Sequence, residues 1–221
     1  MGFHMMLSRT SSPDGQDNLD KIIYFEKDHL KVIAVLDSLK NSNPNFLNEF
    51  EGYMYIESDN INLDDLRSAI QTIVKSSLNS CTNLGKASIS IALISGKKAV
   101  IGHAGDCRAY LPNHNFITRD HSAVQKNFGK KNLSHEAFSA HPLKDWSYPM
   151  RTDDDYNFEV SNVFSLDKGD TIILCTDGWW RNNNHDSIIG LNIDTFEESI
   201  QTAQEFHVCQ DDFSVILYTQ D

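Results

Sequence analysis

Residues Gly169–Trp180 read G-D-T-I-I-L-C-T-D-G-W-W, and the rest of the chain is organised around them. Thr171–Cys175 is a β-branched and aliphatic run with no polar interruption, the pattern of a strand buried on both faces. Asp177-Gly178 then breaks the run. A carboxylate at the tip of a buried strand, followed by a glycine that frees the backbone to turn away, is where a fold places a charge it uses. D-G is also a common surface turn, so the reading depends on whether other strands end the same way. They do.

Working outward, Lys21–Glu26 and Leu30–Leu36 are apolar runs separated by a polar Asp28-His29 turn, which predicts a β-hairpin. Asp17 precedes the first strand and Asp37 follows the second. Antiparallel pairing predicts that these outer ends, and so Asp17 and Asp37, lie side by side. From Lys86 the pattern is a meander of short strands, with Asp106 beside Gly105 at one strand end. The chain closes on Asp211-Asp212 before F-S-V-I-L-Y-T. Helices are predicted over Pro44–Tyr55, over Asn62–Leu78 with Asn62 as N-cap, and over Asp194–His207 with a D-x-x-E capping box of Asp194 and Glu197. Ala123–Asn157 has little periodicity and reads as a flap-like excursion of the kind that is often functional.

Bulk properties narrow the field. The 221 residues suit one domain spanning 1–221, with 40% hydrophobic and 23% charged residues as in ordinary globular proteins. The formal net charge of −12 argues against nucleic acid or an anionic membrane as partner. No apolar run approaches the ~20 residues of a membrane span. Residues 1–7 lack the apolar core of a secretory signal and read as a disordered or extraneous tail. Cys81, Cys107, Cys175 and Cys209 show no C-x-x-C spacing, which predicts free thiols and a cytoplasmic setting.

Aspartates thus bound strands at Asp17, Asp37, Asp106, Asp177 and Asp211/Asp212. Clustered carboxylates resist ionising together unless a cation neutralises them. Hard oxygen donors without matching His or Cys point to Mg²⁺ or Mn²⁺. Two such ions ~4 Å apart suit in-line attack of activated water on a phosphoryl group. Scattered surface aspartates are the alternative. Rival motifs fail: Phe158 takes the glycine position of an EF-hand loop begun at Asp153, Ser139 replaces the second histidine of H-E-x-x-H, and neither G-x-S-x-G nor G-x-x-x-x-G-K-[ST] occurs. His103, in an apolar strand, reads as a core histidine.

Several blocks, in order, resemble the metal-dependent protein phosphatase 2C family. G-H-A-G-D-C-R-A-Y-L (102–111) is similar to its G-D-S-R-A-Y block, I-T-R-D-H-S (117–122) to its L-T-x-D-H-S, and 166–180 to its L-x-x-G-D-x-l-l-L-C-S-D-G-l-W. D-D-F-S-V-I-L-Y (211–218) is similar to its closing D-N-x-[ST]-v-v-v, G-Q-D (15–17) to its N-E-D, and V-I-A-V-L-D-S (32–38) to the strand that carries D-G-H-G-G. The resemblance implies an α+β fold, a four-layer αββα sandwich of two antiparallel sheets, with two Mn²⁺ or Mg²⁺ ions at one end. Asp37 is implied to bridge both ions with the Ser38 carbonyl beside it. Asp177 and Asp211 are implied to complete one ion, Asp17 to hold water ligands of the other, and Asp106 to help bind a third. Asp37 and Asp177 are then the catalytic pair that positions a metal-held water. Arg108 and Asp120 are implied to brace the scaffold. The implied reaction is hydrolysis of phosphoserine or phosphothreonine in a protein substrate, by a monomer.

The departures are specific. Asp37-Ser38-Leu39-Lys40-Asn41 replaces D-G-H-G-G, removing the turn glycines and a histidine that serves as general acid in some members, a role typically worth ~10²–10⁴ in rate. Gln16 replaces an acidic residue. Arg181 stands where many members place a further aspartate. No arginine lies at the usual distance before Asp17, which leaves Arg9 as the candidate phosphate-binding residue. A binding module that keeps the fold without turnover is the alternative function, and a phosphatase of small molecules a third.

Overall fold

The structure is a computed structural model that describes residues 3–10, 18–128, 138, 141–152, 157–205 and 211–221. Strands β1 (Phe3–Thr10), β12 (Phe213–Gln220), β11 (Thr171–Cys175), β6 (Arg108–Leu111) and β7 (Phe116–Ile117) form one antiparallel sheet in that spatial order. The second runs β10 (Phe164–Ser165), β5 (Lys98–Ala104), β4 (Lys86–Ser95), β3 (Leu30–Ser38), β2 (Asp20–Lys27), with β8 (Met150–Arg151) added to β4 and β9 (Glu159–Val160) to β5. Helices α1 (Phe46–Glu57) and α2 (Leu66–Ser80) cover the second sheet; α4 (Asp177–Trp180), α5 (His185–Ile189) and α6 (Ile193–Glu205) cover the first, and a short α3 (Ala123–Phe128) follows β7.

The period-2 alternation of strand side chains builds these layers. On β3, Val32, Ala34 and Leu36 face Phe50, Ile70 and Ile73 of the helices, while Ile33 and Val35 face the other sheet. On β11, Ile172 and Leu174 enter the layer between sheets, and Ile173 and Cys175 meet Trp179, Phe196 and Ile200. Three apolar clusters therefore lie between four layers, the αββα sandwich. Extending the same alternation, Asp37 follows Ile33 and Val35, so it belongs to the inter-sheet face at the end of the sandwich.

Some local expectations change. Residues 3–7, which read as part of a tail, belong to an edge strand, Phe3–Thr10, paired with all of β12, from Phe3↔Gln220 to Thr10↔Phe213. Helix α2 begins three residues later than expected: Asp65, not Asn62, is its N-cap, accepting from the Ser68 N–H at 3.1 Å. Asn62 instead closes a preceding turn by accepting from the Asp64 N–H. In α6 the D-x-x-E box is displaced by Asn192, whose Oδ1 accepts from the N–H groups of Asp194 and Thr195. Within the predicted excursion, Ser147 bridges to Ser122, and Ala123 N–H donates to Trp146 O; residues 129–137, 139–140 and 153–156 of it lie outside the described residues.

Candidate metal centre at one end of the sandwich

The hairpin brings two aspartates together, but the partner of Asp37 is Asp20. Lys27 pairs with Leu30 across the Asp28-His29 turn, where Asp28 has a φ of 53°, and counting outward from that pair arrives at Asp20↔Asp37. Asp17 lies outside the described residues. Asp20 is only 3% exposed. The Thr176 hydroxyl donates to its Oδ2 at 2.8 Å, and Thr176 Oγ1 accepts from the Ser214 N–H at 2.9 Å. Asp20 is thereby tied to both central strands of the opposite sheet.

Asp177 follows β11 and opens α4. Gly178 is required there by a close approach rather than by a turn: a Cβ would lie 1.9 Å from the Asp212 carbonyl oxygen. Asp212 in turn accepts from the Leu19 N–H at 2.9 Å, joining the starts of β2 and β12. Asp211 sits beside it, exposed, accepting from the Asp212 N–H. Asp106 is delivered by the turn at Gly105, whose φ of +83° favours glycine and where a Cβ would strike Ser88. The Ser88 hydroxyl donates to Asp106 Oδ1 at 2.7 Å.

Electrostatics shows that these carboxylates form one cluster. Burial pushes Asp37 well above the usual carboxylate range, and Asp177, Asp20, Asp106 and Asp211 push it further. Asp177 is raised to about 8, by burial first and then by Asp106, and Asp20 to about 7, by burial and then Asp212 and Asp211. Asp106 is raised by burial against the pull of Arg181. Such a cluster either holds protons at neutral pH or ionises around a cation. All its donors are oxygens, the type that hard cations such as Mg²⁺ and Mn²⁺ prefer.

One cation is built in. Arg181, expected only as a departure from the motif, reaches Asp106 Oδ2 with Nη2 and Asp177 Oδ2 with Nη1, both at 3.0 Å. Burial opposes its charge, but Asp177 and Asp106 hold the guanidinium protonated. It also bonds Asp145 Oδ1 at 3.1 Å and the Lys144 carbonyl at 3.0 Å, tying residues 144–145 to the carboxylates.

The remaining site residues fall as follows. Arg108 donates to Asp120 through Nε and Nη2, both at 2.7 Å, and its guanidinium lies 3.4 Å from the Trp180 ring centroid. That is a bracing role. Ser38 ends β3, its N–H donating to Leu19 O at 3.3 Å. The turn after it closes by Ser42 N–H to Leu39 O without any residue of positive φ, so loss of the glycines introduces no strain. Arg9 pairs with Ser214 in the backbone, near the carboxylate end, but its side chain lies outside the described residues. Among the described residues Cys81, Cys107 and Cys175 are free thiols, and no helix is long and apolar enough to cross a membrane.

No protein-family profile matches the chain, and no curated protein sequence matches it. Solved structures do. Serine/threonine phosphatase Stp1 from Staphylococcus aureus matches with a TM-score of 0.78 at 18% identity, covering 100% of this chain and 96% of its own. The S. agalactiae serine/threonine phosphatase matches at 0.76 and 16% identity, with 100% of both chains covered. The catalytic domain of the serine/threonine protein phosphatase PstP, in complex with two manganese ions, matches at 0.73 and 14% identity, covering 98% of this chain and 97% of its own. The chain has the fold of the bacterial 2C-type serine/threonine phosphatases.

Proposed function

We propose that this protein is a metal-dependent phosphatase that hydrolyses phosphoserine or phosphothreonine in protein substrates. The observation that carries the reading is the cluster itself. Asp20, Asp37, Asp106, Asp177 and Asp211, from separate elements of both sheets, share one field at the end of the sandwich. Burying like charges together costs stability, and a divalent cation is the simplest reason for keeping them. The fold shared with the phosphatases supports the same reading.

Asp37, Asp177 and Asp211, with the Ser38 carbonyl and the Asp17 carboxylate, would hold two Mn²⁺ or Mg²⁺ ions. When bound, such ions supply Lewis acidity toward a phosphoryl oxygen and activate water. Asp20 joins this set, as the cross-strand partner of Asp37. Asp106 serves Arg181 instead: the guanidinium already neutralises that flank, so the centre takes two ions and not three. Arg108 and Asp120 keep Trp180, and with it the end of α4, in place. No histidine stands at Ser38–Asn41 in the turn after Asp37, so we assign protonation of the leaving group to water. We place the enzyme in the cytoplasm as a single-domain monomer, with the net charge of −12 disfavouring nucleic acid and anionic membranes as partners.

Isothermal titration tests the centre. Wild-type protein is expected to bind two equivalents of Mn²⁺, and Asp37→Asn to lose them. Binding that is absent from the wild type, or unchanged in the variant, rejects the reading.

A further inference from the structure

A second group of ligand-type side chains lies apart from the carboxylates. His103 of β5, His121 in the loop after β7 and Glu159 of β9 each offer one ligand atom, all within 4.8 Å of one another. Strand register fixes the group. His103 is directly opposite Ser90 of β4 on one side and Glu159 of β9 on the other, so the three side chains leave the same face. His121 lies over His103, with ring centroids 4.5 Å apart. Its backbone is pinned at both ends: its N–H donates to Gly105 O at 2.7 Å, and its carbonyl accepts from the Tyr148 N–H at 2.6 Å.

The hydrogen bonding of this group is incomplete. His103 Nε2 donates to the Arg119 carbonyl at 2.8 Å, so its proton sits there and Nδ1 carries the lone pair. Neither ring nitrogen of His121 has a partner at full hydrogen-bond geometry, although Glu159 and the Asn157 backbone lie near enough to favour its protonated form, and Ser90 Oγ has no partner. His121 is only 8% exposed, and its Nε2 stands 3.4 Å from Glu159 Oε1. Buried polar atoms are almost always partnered, so orphans gathered at one point call for a guest. Burial also keeps both imidazoles neutral, pushing His103 down to about 4 with His121 adding to the effect, and lowering His121 against the pull of Glu159. The neutral imidazole is the form that ligates a metal.

We propose that His103, His121 and Glu159 form a zinc-class divalent metal site, separate from the carboxylate centre. Two imidazoles and a carboxylate are a familiar zinc donor set, with water in the fourth position, whereas the harder Mg²⁺ and Mn²⁺ prefer the all-oxygen cluster. Zinc bonds of ~2.0 Å place tetrahedral ligand atoms about 3.3 Å apart, close to the 3.4 Å between His121 Nε2 and Glu159 Oε1, so any closing falls on the pairs that involve His103, which lie within 4.8 Å. Glu159 supplies that movement and the route of entry, its side chain being 57% exposed. The His103 N–H to Arg119 carbonyl bond is the outer contact that orients a metal-ligating imidazole. An ion here would join β5, β9 and the His121 loop, and through Gly105 would stiffen the turn that carries Asp106.

The full chain is loaded with Zn²⁺ in excess Mn²⁺, dialysed, and analysed for metal content and by zinc X-ray absorption. Co²⁺ is substituted in parallel, because four-coordinate nitrogen-bearing Co²⁺ absorbs far more visible light than six-coordinate oxygen-bound Co²⁺. One retained zinc with two imidazole ligands and an intense Co²⁺ band are expected. Surface variant Glu159→Gln weakens retention at least ~10-fold, the lower bound for disturbing even an outer contact. His121→Gln abolishes it, and Asp37→Asn leaves it intact, so the two centres are distinguished. No retained zinc, an all-oxygen shell, or zinc retention unaffected by Glu159→Gln and His121→Gln overturns the proposal.

Discussion

Replacing Arg181 by methionine keeps an apolar, unbranched stem and removes the cation seated among the described aspartates. Its nitrogens lie 3.0 Å from both Asp106 and Asp177. Once both carboxyls are ionised, above the value of about 8 to which Asp177 is raised, unit charges at that distance attract by about 5.5 kcal/mol per pair at an effective permittivity of 20, before desolvation is subtracted. Stripping one partner from a buried ion pair costs ~3–5 kcal/mol net, because the stranded charges must then protonate or repel. The exposed contact to Asp145 adds at most ~1 kcal/mol. For a chain of this size each kcal/mol moves Tm by about 2–4 °C, so metal-free Arg181→Met should melt on the order of 10 °C below wild type. Mn²⁺ should then recover more stability in the variant than in wild type, since the vacated flank becomes a cation site. Thermal melts in chelator and in Mn²⁺, with metal stoichiometry by equilibrium dialysis, read both effects. An unchanged apo Tm together with two Mn²⁺ in both proteins would refute the reasoning.

Other consequences follow from the same geometry. In the metal-free protein, carboxyls raised to about 7 at Asp20 and about 8 at Asp177 favour the folded state while protonated. Their contribution is full below the unfolded value of about 4 and is lost as pH rises through 7 to 8. Melting in chelator should therefore fall from pH 5 to 8.5 and be restored by Mn²⁺; a flat or rising profile contradicts this. Gly178→Ala forces a Cβ to within 1.9 Å of the Asp212 carbonyl oxygen. It should cost ~1–3 kcal/mol or more and weaken Mn²⁺ binding by shifting Asp211 and Asp212; wild-type melting and Mn²⁺ affinity would count against the contact. Glu49 accepts from the N–H groups of Thr82 and Asn83 and from both their side chains, which pulls its carboxyl down to about 2. Its contribution is present above the ordinary value and lost as pH falls through about 2. Glu49→Gln should lower Tm at pH 7 with a gap that narrows toward pH 2, and a pH-independent gap would deny the carboxylate its role.

The strands were legible because their signal is short-range. Thr171–Cys175 is a strand with the bounds its apolar run implies, and the polar dipeptide Asp28-His29 marks a real hairpin turn. The same hairpin shows where reading stopped short. Register from a two-residue turn pairs Asp37 with Asp20, the aspartate that counting outward selects, while Asp17 lies outside the described residues. Helix caps moved because Asn62, Asp65, Asn192 and Asp194 are all competent caps, and only the packing of each helix decides among neighbours. At Gly178 the strand end is visible in the sequence but the cause is not: the carbonyl that forbids a Cβ lies 34 residues away, just before β12. Arg181 and the His103–His121 pair were beyond reach for the same reason. Their meaning comes from partners at long sequence separation, and neither has a local spacing signature.

The central claim is that the aspartate cluster is a hydrolytic metal centre. The direct measurement is hydrolysis of p-nitrophenyl phosphate and of a phosphothreonine peptide, with and without Mn²⁺, on wild type and Asp177→Asn side by side. Turnover in the wild type that requires metal and vanishes in the variant is expected. A wild type that binds Mn²⁺ but hydrolyses neither substrate would contradict it, and would leave a binding module on a phosphatase fold.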